Sequence, residues 1–318
     1  MALLSIRDLS IRISRLNPLD GISFDVAKGE ILGIVGESGS GKSLTAMSIM
    51  GLLPLIGGRV TGGSMRFDGI DLVGIAEKAY RKLRGRRIAL ITQNPMTSLD
   101  PVLHVGAQID DVARIHLGYS AAQAKARSID LMEQLRIPEA ATVHGQYPHQ
   151  LSGGMKQRIV IAMALAADPE LIIADEPTTA LDVTIQAQII QIMIDLVRQR
   201  GLAMIFITHD MSVVAQACDR VVVLYAGRVA ESNFVGPIFA APRHPYTRNL
   251  IGCIPRAGQA AGSLKGIPGV VPGVLSYPAG CRFHPRCALA QSICASELPH
   301  LQIHGAAAVA CHFSEAVS

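Results

Sequence analysis

The segment Gly36-Glu37-Ser38-Gly39-Ser40-Gly41-Lys42-Ser43 constrains this chain more than any other. It fits G-x-x-x-x-G-K-[ST], a loop whose backbone N–H groups turn inward and cradle phosphate oxygens. Glycine permits both the turn and the close approach. In this pattern Lys42 supplies a point charge to the β- and γ-phosphates, and Ser43 offers a hydroxyl to Mg²⁺. The flanks argue against a chance glycine-rich turn. Ile31–Val35 reads as a buried strand, and Ser43 to Met50 as the start of a helix that aims its N-terminal dipole at the anion.

The chain has 318 residues, 49% of them apolar, enough for one large domain with an appendage or for two domains. Its net charge of +4 is too mild to argue nucleic-acid binding by itself. No apolar run approaches the roughly 18 residues of a membrane span. Val160 to Ala167 is apolar but ends at Asp168. The first eight residues lack the basic segment, apolar core and cleavage site of a signal peptide. A cytosolic protein is expected, with its six cysteines as thiols or metal ligands rather than disulfides.

Segments rich in β-branched residues recur at Ile31–Val35, Ile88–Thr92, Leu171–Ala174, Leu202–Thr208 and Arg220–Tyr225. Between the strands at 171 and 202, Ile185, Ile189, Ile192 and Leu196 recur at helical spacing, with Gly201 as a stop. This alternation predicts an α/β fold with a mostly parallel sheet. Residues 1–30 instead read as short strands ending in turns at Asn17-Pro18 and Lys28-Gly29, an antiparallel sheet ahead of the phosphate loop. Residues 96–165 are rich in Ala, Gln and Leu and are helical in pattern from about Ser120 to Leu135. Between Gly236 and Gly280 stand seven prolines and eight glycines, too many for helices or central strands, so a boundary is placed near 236.

Leu171 to Ala174 leads into Asp175-Glu176-Pro177, an apolar strand ending in two carboxylates. Adjacent strand residues point to opposite sides, so the two can take different roles beside one nucleotide. Asp175 would hold Mg²⁺ through its water shell. Glu176 would polarise the attacking water as general base. A phosphate loop elsewhere in the chain favours this over a solvated acidic turn.

With these motifs in hand, the chain resembles the ATP-binding cassette (ABC) ATPases over about residues 4–235. Leu151-Ser152-Gly153-Gly154-Met155, followed by Lys156-Gln157-Arg158, looks like that family's signature and lies 20 residues before Asp175's strand. Gln93 matches the glutamine that senses Mg²⁺ and water, and His209 the switch histidine near the γ-phosphate. Ala180-Leu181-Asp182 matches the loop crossing the dimer interface. The resemblance implies a P-loop NTPase of ABC type: a RecA-like, mostly parallel sheet with an N-terminal antiparallel β subdomain and a helical subdomain at about 96–165. ATP and Mg²⁺ are the implied cofactors. Gly36, Glu37, Ser38, Gly39, Ser40, Gly41 and Lys42 would cradle phosphate. Ser43, Gln93 and Asp175 would hold Mg²⁺, and Glu176, His209 and Gln93 would carry hydrolysis. Ser152, Gly153 and Gly154 would act on the ATP of a second ABC subunit packed head to tail. This makes the monomer inert.

Two positions depart from the family. Met155 stands where many members have glutamine, leaving the Ser-Gly-Gly anion site intact. The family usually stacks adenine on an aromatic of the N-terminal sheet, but no aromatic precedes Phe24, and Phe24's alternating strand marks it as core. Arg12 or Arg15 could stack through a guanidinium plane instead.

The tail narrows the type. Arg243-His244-Pro245-Tyr246-Thr247 and Cys281-Arg282-Phe283-His284-Pro285-Arg286-Cys287 resemble the C-terminal extension of the oligopeptide/dipeptide/nickel importers, as does the run from Gln93 to Pro101. The resemblance therefore implies an ATPase domain at 1–235 and an extension at 236–318. It also implies a peripheral ATPase at the cytoplasmic face of a bacterial inner membrane, beneath two permease subunits fed by a substrate-binding protein. Peptides are the favoured cargo, with nickel chelates or other solutes as alternatives. The competing reading is a soluble ABC ATPase acting on ribosomes or nucleic acid. Its support is six basic residues in ten from Lys78 to Arg87. A solvated face before a buried strand explains that run equally simply, and no nucleic-acid partner is expected.

Cys281, Cys287, Cys294 and Cys311 lie in a segment with little core of its own. Their C-x5-C-x6-C-x16-C spacing leaves zinc, an iron–sulfur cluster and free thiols all open. In the resembled subfamily this tail can carry a [4Fe–4S] cluster, which the resemblance favours over Zn²⁺. Cys218 and Cys253 read as ordinary buried thiols.

Overall fold

A computed structural model describes residues 2–178, 182–255 and 266–315. The chain divides into two compact units. One comprises Ala27–Glu30 and Gly74–Ile205, the other Ala2–Val26, Ile31–Val73 and Phe206–Ser318.

The second unit opens with a long hairpin. Strands β1 (Ala2–Ile13) and β2 (Leu16–Ala27) are joined at Ser14-Arg15, with Ser14 in the left-handed region at φ 53°. After β3 (Ile31–Val35), helix α1 (Lys42–Ile49), β4 (Gly58–Phe67) and β5 (Ile70–Asp71), the antiparallel sheet is complete in the order β2-β1-β4-β5. Leu4 pairs with Phe67 and Ile13 with Gly58. Leu4, Ile6, Leu9 and Ile11 are fully buried, as is Phe67. The short strands expected here are thus two strands of twelve residues, and Asn17-Pro18 lies within β2 instead of ending it. Proline is tolerated there because β2 is the sheet's edge.

The other unit begins at α2 (Glu77–Leu83) and β6 (Ile88–Ile91). The expected helical stretch follows as α3 (Pro95–Ser98), α4 (Val105–Leu117), α5 (Ala121–Gln134), α6 (Ala140–Val143) and α7 (Gly153–Leu165). Helix α5 starts on a capping box in which Ser120 and Gln123 satisfy each other's orphan N–H groups. Next come β7 (Leu171–Asp175), α8 (Val183–Gln199) and β8 (Ala203–Thr208), whose last three residues belong to the second unit. β6 and β7 are parallel, from Ile88 opposite Leu171 to Ile91 opposite Ala174.

The basic run before β6 is largely engaged within this unit. Arg81 and Arg84 bind Glu77, Arg86 donates to the carbonyl of Ala167, and Arg87 pairs with Glu170.

After α9 (Met211–Ala217), β9 (Arg220–Tyr225) runs parallel to β3, and β10 (Arg228–Phe234) returns antiparallel through Ala226-Gly227. Two helices follow, α10 (Val235–Ala240) and α11 (Pro245–Gly252), where the proline and glycine content argued for none. The prolines sit in first turns, where the missing N–H is an orphan anyway. Pro245 opens α11 behind an N-cap from His244, whose Nδ1 accepts the N–H of Tyr246 at 3.0 Å. Beyond α12 (Ser292–Ser296), β11 (Gln302–His304) and β12 (Ala307–Val309) extend the sheet in the order β11-β12-β10-β9-β3.

The tail therefore buries its apolar groups in the core of the phosphate-loop unit. Tyr246 and Phe283 pack with Val35, Val223 and Tyr225. The Tyr225 ring meets Tyr246 and Phe283 edge-on at 4.5 and 5.2 Å. Complete burial of a side chain such as Phe283 is worth about 1.5–3 kcal/mol.

His244 is fully enclosed in this core, and burial pushes its pKa down to about 4. In the unfolded chain the imidazole takes a proton near 6.5, so its contribution is intact above that pH and is lost as pH falls toward 4. The loss is about 3 kcal/mol. Urea unfolding at pH 7 and pH 4.5 should therefore separate the wild type from His244→Asn, which keeps an N-cap acceptor but cannot titrate. The variant's acid destabilisation should be clearly smaller. Equal losses would contradict the assignment.

Candidate nucleotide site and thiol pocket

The phosphate loop joins β3 to α1. Gly41 has φ 105°, and a Cβ there would lie 2.3 Å from Leu19 Cδ2; at Gly36 one would lie 2.2 Å from the carbonyl oxygen of Leu224. A Cβ at Gly36 would strike backbone, and at Gly41 the positive φ disfavours any side chain, so both positions suit glycine. Lys42 is buried over the loop, its Nζ donating to the carbonyls of Gly36 (2.7 Å) and Glu37 (3.2 Å). Ser38 and Gly39 are exposed, Ser40 is fully buried, and Ser43 is exposed on the first turn of α1. Ser40 accepts the N–H of Gly227 at 3.0 Å, which ties the loop to the β9–β10 turn. Cradle, lysine and helix terminus together suit a polyphosphate.

The loop has a second support that the sequence reading missed. Arg286 makes two hydrogen bonds to the Glu37 carboxylate, at 2.7 and 3.0 Å. The Arg286 side chain is only 4% exposed, and it also donates to the carbonyls of Pro268 and Ile267. The N–H of Glu37 donates to the Tyr246 hydroxyl at 2.9 Å. Two residues of the tail thus hold one residue of the phosphate loop. Both stood in the tail motifs, but nothing in their spacing pointed to a position 200 or more residues upstream. Also in this unit, exposed His209 follows β8, and Asp210 caps α9 by accepting from Ser212.

In the other unit, Gln93 and Glu176 follow the parallel strands β6 and β7, and their side chains meet, with Gln93 Nε2 donating to Glu176 Oε2 at 3.1 Å. Asp175 is the last residue of β7, and both carboxylates are half-buried. Glu176 adopts φ 45°, a left-handed conformation that costs a non-glycine residue about 1–3 kcal/mol and concentrates at functional sites. Ser152 caps α7, accepting from Met155 N at 3.3 Å, and leaves the exposed helix terminus at Gly153 facing solvent. Gly154 packs so closely that a Cβ would lie 2.9 Å from Ile185. Asp182 caps α8, while Ala180 and Leu181 lie outside the described residues.

Cys281, Cys287, Cys294 and Cys311 line one small pocket with Phe283 and Phe313, and all are free thiols. The N–H of Cys281 donates to the carbonyl of Cys294 at 2.8 Å. Burial above all, with a smaller repulsion from neighbouring thiols, pushes Cys281 up to about 11 and raises Cys287 and Cys311. Among the described residues, no group of three or more His, Cys, Asp or Glu is placed to hold a metal ion. Neither the iron–sulfur cluster nor the zinc staple weighed from the sequence is therefore supported by such a group. Cys218 and Cys253, expected to be buried, are half-buried.

Among the described residues, no helix is long and apolar enough to cross a membrane. Residues 19–179 match the family model for ABC transporters, and residues 231–294 that for the C-terminal region of oligopeptide/dipeptide transporters. The dipeptide transport ATP-binding protein DppD of Escherichia coli (strain K12) is 47% identical, with 95% of this chain and 94% of that protein covered. The oligopeptide transport ATP-binding protein AppD of Bacillus subtilis (strain 168) is 45% identical over 90% and 87%. Among solved structures, the dimeric ATP-binding cassette MJ0796, in a post-hydrolysis state bound to ADP and Pi, superposes with a TM-score of 0.65. It is 26% identical and covers 73% of this chain and 98% of its own. With its phosphate loop, parallel and antiparallel sheets and helical segment, this chain belongs to the ABC transporter ATPases and carries a C-terminal region of the oligopeptide/dipeptide transporter type.

Proposed function

We propose that this chain is the ATP-hydrolysing subunit of a bacterial importer for di- or oligopeptides. It would work as one of two cassettes at the cytoplasmic face of the inner membrane, beneath two permease subunits. One observation carries the reading: a phosphate loop and an oligopeptide/dipeptide-type tail occur on one chain, matched across nearly the whole length of a dipeptide transport ATP-binding protein.

The residues divide the work. Backbone N–H groups from Gly36 to Ser43 and the Lys42 ammonium hold the β- and γ-phosphates. Ser43, Gln93 and Asp175 would hold Mg²⁺, which would supply charge neutralisation for the phosphates. Glu176 takes the proton of the attacking water, oriented by its hydrogen bond from Gln93. His209 senses the γ-phosphate. Ser152, Gly153 and Gly154 present the N-terminus of α7 to the ATP of the partner cassette, so nucleotide closes the dimer and hydrolysis releases it. A ligand with different affinity for closed and open states can perform mechanical work.

We also propose a [4Fe–4S] cluster on Cys281, Cys287, Cys294 and Cys311. The four cysteines line one pocket, and four thiolates are the ligand set such a cluster takes. Its role would be structural: the thiols pack against the core that also holds Tyr246 and Phe283.

Three outcomes are expected. Glu176→Gln should keep MgATP affinity and ATP-dependent dimerisation by gel filtration while losing at least about 10²-fold in turnover. Wild-type turnover would remove Glu176 from the role. Arg286→Ala leaves the Glu37 carboxylate unneutralised beside the phosphates, and ATP affinity should fall about tenfold, or about 1.4 kcal/mol. Adding Glu37→Gln to the same chain should recover most of it, and no recovery would mean that Arg286 acts elsewhere. Protein purified without oxygen should contain about four irons per chain, and Cys287→Ser should lose them. Stoichiometric zinc would overturn the cluster; metal-free, freely alkylated thiols would overturn any metal role.

A further inference from the structure

Met96 stands apart from the other methionines. It is 60% exposed, whereas the other nine described methionines are buried or half-buried. It sits on α3, the short helix that begins two residues after Gln93. Asn94 caps that helix, its Oδ1 accepting the N–H of Met96 at 2.9 Å. The Met96 backbone is therefore fixed close to the residue whose amide orients Glu176.

The Met96 sulfur has a charged neighbour. Lys156, near the start of α7, is 8% exposed, and its Nζ donates to Met96 Sδ at 3.4 Å. Helix α3 packs on α7, so this contact joins two elements already in touch. A buried ammonium normally sits against a carboxylate or several oxygen acceptors. Here, among the described residues, its hydrogen-bond partner is a thioether sulfur, a weak acceptor. The cation is short of an acceptor, and the residue beside it is open to solvent.

One chemical change answers both conditions. The lone pair of a thioether sulfur attacks one oxygen of a peroxide. The S–O bond forms and the O–O bond breaks. The departing hydroxide takes the proton left on the transferred oxygen, giving methionine sulfoxide and water. Sulfur is oxidised and the peroxide is reduced by the same electron pair. Negative charge grows on the departing oxygen, and the Lys156 ammonium is close enough to stabilise it. The sulfoxide oxygen is a far better acceptor than the thioether, so the product gives Lys156 the partner it lacks.

We propose that Met96 is a reversible oxidation site, with a peroxide as the oxidant and Lys156 as the group that promotes the step and then binds the sulfoxide. Oxidation replaces a weak contact between α3 and α7 with a charged hydrogen bond. The loop that carries Gln93 is then fastened to the helix that Ser152 caps. Both segments serve ATP sites that open and close, so holding them in one arrangement lowers turnover. This consequence rests on the ATPase reading above; the oxidation site itself does not.

Dilute hydrogen peroxide applied to the full-length chain, with peptides read by mass spectrometry, tests the site. Met96 should gain one oxygen before the half-buried Met47, Met155 and Met163 do. Lys156→Leu should slow that gain about tenfold, the worth of one charged hydrogen bond. Lys156→Arg, which keeps a cationic donor, should retain the fast rate. Equal rates in wild type and Lys156→Leu, or slow rates in both Lys156 variants, overturn the role of Lys156. In the same samples peroxide should lower MgATP turnover about fivefold. Methionine sulfoxide reductases should restore it, and Met96→Leu, with unchanged basal turnover, should not respond. Full oxidation of Met96 without loss of turnover, or an equal loss in Met96→Leu, overturns the effect on catalysis. A wild-type chain that never hydrolyses ATP overturns the ATPase reading, while the mass readout still decides the oxidation site.

Discussion

A loop that binds phosphate through its backbone must be held from outside, because its own side chains have been given up for access. Gly36 and Gly41 each sit where a Cβ would collide with a neighbour. The loop's shape therefore belongs to what surrounds it: Leu19 of the hairpin, Leu224 of β9, Gly227 of the β9–β10 turn, and Tyr246 and Arg286 of the tail. The Arg286–Glu37 pair matters most here. It is bidentate and nearly closed to solvent on the arginine side, and it places a cation against the one carboxylate of the anion-binding loop. Without that cation the carboxylate would oppose the ligand; with it, the charge becomes an anchor.

This arrangement explains why the tail cannot be a passive appendage. Among the described residues, Ile238, Tyr246 and Phe283 of the tail complete the cluster around Val35 and Val223. The four-thiol pocket, the aromatic cluster and Arg286 follow one another through space within a single unit. A metal cluster there would stiffen the base on which the phosphate loop rests.

The other unit solves a different problem. Asp175 ends a strand and Glu176 follows it directly. Parallel pairing of β6 with β7 delivers Gln93 and Glu176 beyond the strand ends, where one amide can orient one carboxylate. The left-handed turn at Glu176 directly follows a strand whose first four residues are buried. Two of the basic residues before β6, Arg84 and Arg87, meanwhile pair with Glu77 and Glu170 of the same unit.

The local requirements were legible in the sequence. The glycine-rich octapeptide, the apolar strand ending in Asp175-Glu176, the signature at Ser152 and the capped helices each encode their structure within a few residues. Backbone sterics and short-range hydrogen bonds decide such features. Local signals misled where context overrode them. Pro237 and Pro245 fall in first turns of helices, Pro242 lies between them, and Pro18 lies on an edge strand, so none breaks its element. What tertiary structure alone decided is every partnership between distant segments: Arg286 with Glu37, Tyr246 with the Glu37 N–H, Tyr277 beside the β1–β2 hairpin, and four dispersed thiols around one pocket. Sequence spacing carries no record of these contacts, because they depend on where β9, β10 and the tail return across the sheet.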